Sequence, residues 1–118
     1  MFAAYVGVAI VSSLLLALVS GLGKLRRNSY IVKTVHDVVG VPIRWFPILA
    51  GLEFAVAIGL LLGIRWGPLG VAAATGMALY FIGAIIAHVR VNDTRGTGPA
   101  LQMLCLAFTA LITRTLSL

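Results

Sequence analysis

Charge is scarce in this chain: 10% of its 118 residues are Asp, Glu, Lys or Arg, against about 25% in an average soluble domain. Cysteine is nearly absent. Cys105 alone excludes a disulfide-stapled secreted domain and a self-contained dithiol exchange. No Gly-rich loop carries the Lys-Ser/Thr of a nucleotide site, and no serine sits in a nucleophile elbow. His36 and His88 lack the spaced cysteines or carboxylates of a zinc centre, so no metal site is expected.

Apolar residues fill the space. They make up 61% of the chain, with a mean hydropathy of +1.10, which excludes a disordered segment and points to an integral membrane protein. Four spans of about 20 residues leave about 38 for connections, enough for a single transmembrane domain over 1–118. The net charge of +6 does not form a nucleic-acid surface. Its Lys and Arg sit on connections and helix ends, without a basic helix or aromatics to stack bases.

The first span is expected over 2–22, which holds no charge and covers roughly 31 Å. No basic residue precedes it and no small-x-small cleavage site follows, so the run is read as a retained span. Further spans are expected over 46–64, 67–89 and 99–116, with Pro99 in the first turn of the last. Between the first two, Ile31, Val32, Val35, Val38 and Val39 form one apolar stripe on a short helix, with Lys33, His36 and Asp37 off it. Asn28 or Ser29 would cap it, and Gly40 and Pro42 would stop it. It is too short to cross, so an interfacial or re-entrant helix is predicted. The fold class is therefore all-α: a membrane four-helix bundle with one short amphipathic helix between spans 1 and 2.

Lys24, Arg26, Arg27, Lys33, Arg44, Arg90 and Arg95 share one side of this topology, and Arg65 and Arg114 take the other. The positive-inside rule puts connections 23–46 and 90–98 in the cytoplasm and both termini outside. Small residues recur at four-residue spacing in Gly59/Gly63, Ala17/Gly21 and Gly83/Ala87, a pattern that lets helices approach in lipid, within one chain or in a homo-oligomer.

Glu53 is the most informative residue. A charge inside a span costs about 2.5–3.5 kcal/mol on insertion scales, so it should face a protein interior or a wet cavity. The topology brings Lys24, Glu53, His88 and Gln102 to one depth zone, with Tyr80 two turns above His88. Ser13 and Ser20 continue the Lys24 stripe, and Thr109 and Thr113 that of Gln102. Each residue has a bland account beside this one: Lys24 a snorkelling helix end, His88 an interfacial histidine, Arg90 a topology charge, Asp93 a cap, Gln102 a helix bridge. Their convergence is what suggests a site.

Gly23-Lys24-Leu25 closes the first span, and Val39-Gly40-Val41-Pro42 leads into Gly51-Leu52-Glu53. Gly59-Leu60-Leu61-Leu62-Gly63 follows, then Gly67-Pro68-Leu69-Gly70-Val71-Ala72-Ala73 and the Tyr80–His88 stretch. This order of features resembles the DoxX-like family of small bacterial four-span membrane proteins. The resemblance implies a four-helix bundle in a bacterial inner membrane, with Lys24, Glu53 and His88 as matching polar positions. It also implies the neighbourhood of quinone-linked membrane oxidoreductases.

The functional expectation is a pocket for a lipophilic small molecule, bordered by membrane lipids. Glu53 and His88 exchange protons with the molecule, Lys24 sets their charge, and Tyr80, Gln102 and Arg90 orient it. Isomerisation, epoxide opening or cyclisation needs only such an acid–base pair and no cofactor. The alternatives are an accessory subunit of a quinone-linked oxidoreductase and a non-catalytic lipid-binding protein. Quinone belongs to the first of these, and a haem would have His88 as its one visible ligand.

Overall fold

The computed structural model describes the backbone of residues 1–118 and every side chain except those of Tyr30 and Thr34. Four helices are long and apolar enough to cross a membrane: α1 (Phe2–Leu25), α2 (Ile43–Leu62), α3 (Gly67–Arg90) and α4 (Thr94–Leu116). They run antiparallel in sequence order, each packed on its neighbours, with α4 closing back onto α1. The protein is an all-α, multi-pass membrane bundle.

Small residues decide which faces meet. Ala9, Ala50, Ala57, Ala74, Ala107 and Ala110 are all buried, so the backbones approach closely, as helices without a hydrophobic drive between them require. Gly63 and Gly70 show the limit. A methyl on Gly63 would collide with the backbone of Gly70 and the hydroxyl of Tyr5, so the α2–α3 hairpin closes only because both are glycine. Of the expected small pairs, Gly59 packs on Ala73 and Gly21 on Leu16 and Phe54, while Gly83 has open space beside it.

Helix α1 is α-helical over Phe2–Leu14 and π-helical over Leu15–Gly21, then closes with an α-helical turn, Leu22–Leu25. Its buried positions are Tyr5, Ala9, Ser12, Ser13, Leu16, Gly21 and Lys24. The wide step from Leu16 to Gly21 falls within the π stretch, whose i→i+5 bonds absorb one extra residue. That residue brings Lys24, not Gly23, onto the buried face.

The connection after α1 holds a short helix, α-helical over Ser29–Ile31 and π-helical over Val32–Val38, where the valine spacing places it. Its stripe is imperfect. Val39 is buried, but Val38 is 43% exposed, because the π turn rotates positions away from a 3.6-residue period. Gly40, at φ 90°, ends it, with backbone bonds from Gly40 to His36 and from Val41 to Val35.

Helix α4 starts at Thr94, five residues before the expected span. Asp93 caps it by accepting from the Gly96 amide, a stronger start signal than Pro99. Pro99 instead lies inside the helix, where it removes the bond to the Arg95 carbonyl.

Candidate functional site in the bundle interior

Three hydroxyls of α1 clasp α2. Tyr5 donates to the Leu60 carbonyl at 2.6 Å, Ser13 to the Ala57 carbonyl at 3.0 Å, and Ser20 to Glu53 Oε1 at 3.0 Å. The acceptors step by one helical turn each, so the clasp follows a single face of α2.

Glu53 lies near the middle of α2 and is 1% exposed. Its Oε1 takes three donors: Ser20 Oγ, Lys24 Nζ at 2.8 Å and Tyr80 Oη at 2.5 Å. Lys24 also donates to Ser20 Oγ at 2.7 Å. Its ammonium is buried with the carboxylate, so the pair is neutral as a unit, and the low dielectric strengthens every bond in it. Tyr80 comes from α3 and stacks edge-on to Phe81, ring centroids 5.0 Å apart.

The other oxygen is different. Glu53 Oε2 is buried and has no hydrogen-bond partner; among the described residues only Ser12 Oγ shares that condition. Leu16, Val56, Met77, Tyr80 and Phe81 line a narrow crevice beside Glu53 that has no room for a water molecule. An unpaired carboxylate oxygen in an apolar surround is costly, and such orphans call for an explanation in function or strain.

Of the expected site, Lys24, Glu53 and Tyr80 come together, with Ser20 as the fourth member. His88 does not join them by any hydrogen bond among the described residues. It lies about 12 Å along α3 from Tyr80, and its Nδ1 pairs with Asp93 Oδ2 at 2.8 Å. Asn92, at φ 57°, closes α3 with bonds from Asn92 to Val89 and from Asp93 to His88. Asp93 thus caps α4 and holds His88 at once. A methyl on Gly96 would strike both the Asp93 carboxylate and the His88 ring. The His88 hydrogen bond, helped by the Gly96 amide, holds the Asp93 carboxyl below its ordinary range.

Gln102 and Arg90 are both exposed. Gln102 points away because Ala100 and Ala107 occupy the buried face of α4 and Gln102 lies on the other side. Thr109 is exposed with it, and Thr113 Oγ bonds within its own helix to the Thr109 and Ala110 carbonyls. Close packing, not polarity, sets the inward face.

A second polar cluster, which sequence reasoning missed, lies at the opposite end of the bundle. Arg114 is 7% exposed. Its Nε donates to the Gly63 carbonyl at 2.9 Å and its Nη1 to Ser117 Oγ at 3.0 Å. The guanidinium lies 5.2 Å from the Phe2 ring centre and 5.5 Å from that of Tyr5. No carboxylate side chain pairs with it among the described residues.

The profile of the DoxX-like family matches residues 3–111, a stretch that includes the clasp, the Lys24–Glu53–Tyr80 cluster and the His88 corner. The chain belongs to the DoxX-like family. No curated protein and no solved structure matches this DoxX-like chain, so its chemistry is argued from the cluster itself.

Proposed function

We propose that this DoxX-like protein binds a lipophilic small molecule whose polar head donates a hydrogen bond to Glu53 Oε2. The observation that carries the reading is the asymmetry of one carboxylate: three donors on Oε1, none on a buried Oε2. A carboxylate accepts hydrogen bonds and cannot donate them, so the vacant oxygen selects a hydroxyl or N–H head. An apolar body suits the Leu16, Val56, Met77 and Phe81 surround. Met77, unbranched and flexible, is the wall that turns aside to admit it.

The same geometry favours proton transfer without a cofactor. Oε2 takes the proton, Lys24 holds the charge balance, and the Tyr80 hydroxyl is the donor facing the same carboxylate. Isomerisation, epoxide opening or cyclisation would fit such a set. His88, paired with Asp93, and Gln102, exposed on the outer face of α4, are left out of this set. By the positive-inside rule the end carrying Lys33, Arg44, Arg90 and Arg95 faces the cytoplasm of a bacterial inner membrane.

The test is native mass spectrometry of protein purified in mild detergent, with extraction and identification of the bound compound. The expected result is a stoichiometric lipophile in the wild type, lost in Glu53→Gln and enriched in Met77→Ala. A wild type and a Met77→Ala variant that both purify folded and empty would sink the proposal.

A further inference from the structure

Gln102 is a polar side chain left exposed on the outer face of α4. It lies roughly 12 Å into α4, is exposed, and has no hydrogen-bond partner among the described residues. Two outward hydroxyls in the middle of the spans are satisfied within their own helices: Thr75 on the Val71 carbonyl and Thr109 on the Cys105 carbonyl, each at 2.8 Å. A carboxamide cannot satisfy itself that way, and polar groups within the bilayer are found against other protein.

Its neighbours on that face have a regular spacing. Gly98, Gln102, Cys105, Thr109, Ile112 and Leu116 are all exposed and alternate steps of four and three residues. That spacing matches the seam of a left-handed helix pair, the commonest crossing in membranes. The inner face of α4, Ala100, Ala107 and Ala110, is already spent on the bundle. So α4 carries two seams, and only one is filled.

We propose that the outer seam of α4 pairs with α4 of a second copy about a two-fold axis along the membrane normal. The choice of a second copy rests on the chemistry of Gln102. A carboxamide carries both donor and acceptor, so two related by a two-fold axis complete each other with reciprocal N–H···O bonds. Both copies have the same orientation in the membrane, so each seam residue meets its own counterpart. Gly98 lets the backbones approach, and a single polar seam residue fixes the register. Cys105, near the midpoint of α4, then faces Cys105.

The free thiol supplies the test. Membranes holding the wild type are treated with copper(II) phenanthroline, which takes up two electrons as two thiols lose their protons and join as a disulfide. A cross-linked species of twice the chain mass is expected. Gln102→Leu, a lipid-facing change that leaves the bundle interior intact, should weaken the dimer in detergent by about three- to twentyfold, the measured span of interhelical hydrogen bonds in membranes. Gly98→Leu should abolish it. In a Cys105→Ala background, Ile58→Cys on the lipid face of α2 should not cross-link. The proposal falls if wild-type Cys105 stays monomeric, if Ile58→Cys cross-links as readily, or if Cys105 is captured by a different protein.

Discussion

The bundle buries two cationic clusters, and they are solved in opposite ways. Lys24 meets a carboxylate, shares its oxygen with Ser20 and Tyr80, and leaves a second oxygen unused. Among the described residues Arg114 meets no carboxylate side chain, and it spends its donors on the Gly63 carbonyl and on Ser117, under two aromatic rings. Arginine suits the second solution: its charge is spread over a plane, weakly hydrated, and matched to carbonyls and ring faces. Lysine, a compact charge, needs a counterion once buried. The Arg114 cluster is complete, so it reads as a fastening. The Lys24 cluster is incomplete, and the proposed ligand site rests on that vacancy.

That contrast can be broken first at Lys24. Lys24→Met strands Glu53 with its charge buried and should cost about 3–5 kcal/mol, read by denaturant titration in detergent. Lys24→Met with Glu53→Leu should recover most of the loss, since an apolar pair of similar size replaces the ions. If the double variant is no more stable than the single, the pairing account is wrong. Arg114→Met should cost less, about 1–3 kcal/mol, because it strands carbonyl and hydroxyl groups and no charge. Equal losses at Lys24 and Arg114 would erase the distinction.

A smaller effect should appear at the corner that holds His88. The folded value of Asp93 is depressed, so its contribution is present above the ordinary carboxylate value near ~3.9. It is lost as pH falls through the folded value. Acidification below about pH 4 should speed hydrogen exchange at the Gly96 and Thr97 amides, and Asp93→Asn should flatten that dependence. The smallest expected change is a gain. Arg27 holds φ 50° at the end of α1, a left-handed conformation that costs a side-chain-bearing residue about 1–2 kcal/mol. Arg27→Gly should stabilise by about 0.5–1 kcal/mol after glycine's own entropy cost, without altering ligand retention.

The four spans were legible because long apolar runs admit few other readings. Glu53, Lys24 and Tyr80 were legible because a charge in an apolar run must find partners, and topology left few candidates. The failures share a cause. Arg114 looked like a terminal topology charge; it is buried because Gly67 and Gly70, more than forty positions away in the chain, leave room beside it. Gln102 and His88 were drawn inward on the premise that polar groups seek a seam. In lipid the alanines and glycines claim the interior, and His88 had an aspartate five residues on. Asn92-Asp93 with Gly96 three residues later was a readable corner: a left-handed closing residue, a cap, and the amide it accepts from.

The π-helical stretch of α1 has a consequence for how this chain can change. From Leu16 to Gly21 the helix stores one surplus residue, and the two α-helical halves stay in phase only because that surplus is coiled away. Leu18 and Val19, both facing out, are therefore dispensable one at a time. Deleting either should let the stretch relax to an ordinary α-helix with Gly21 and Lys24 still on the inward face. Inserting a residue there would instead swing Lys24 out of register with Glu53. The first span is thus two independently editable segments joined by a phase coupler, with the hydroxyl clasp starting on one and the charged site hanging from the other.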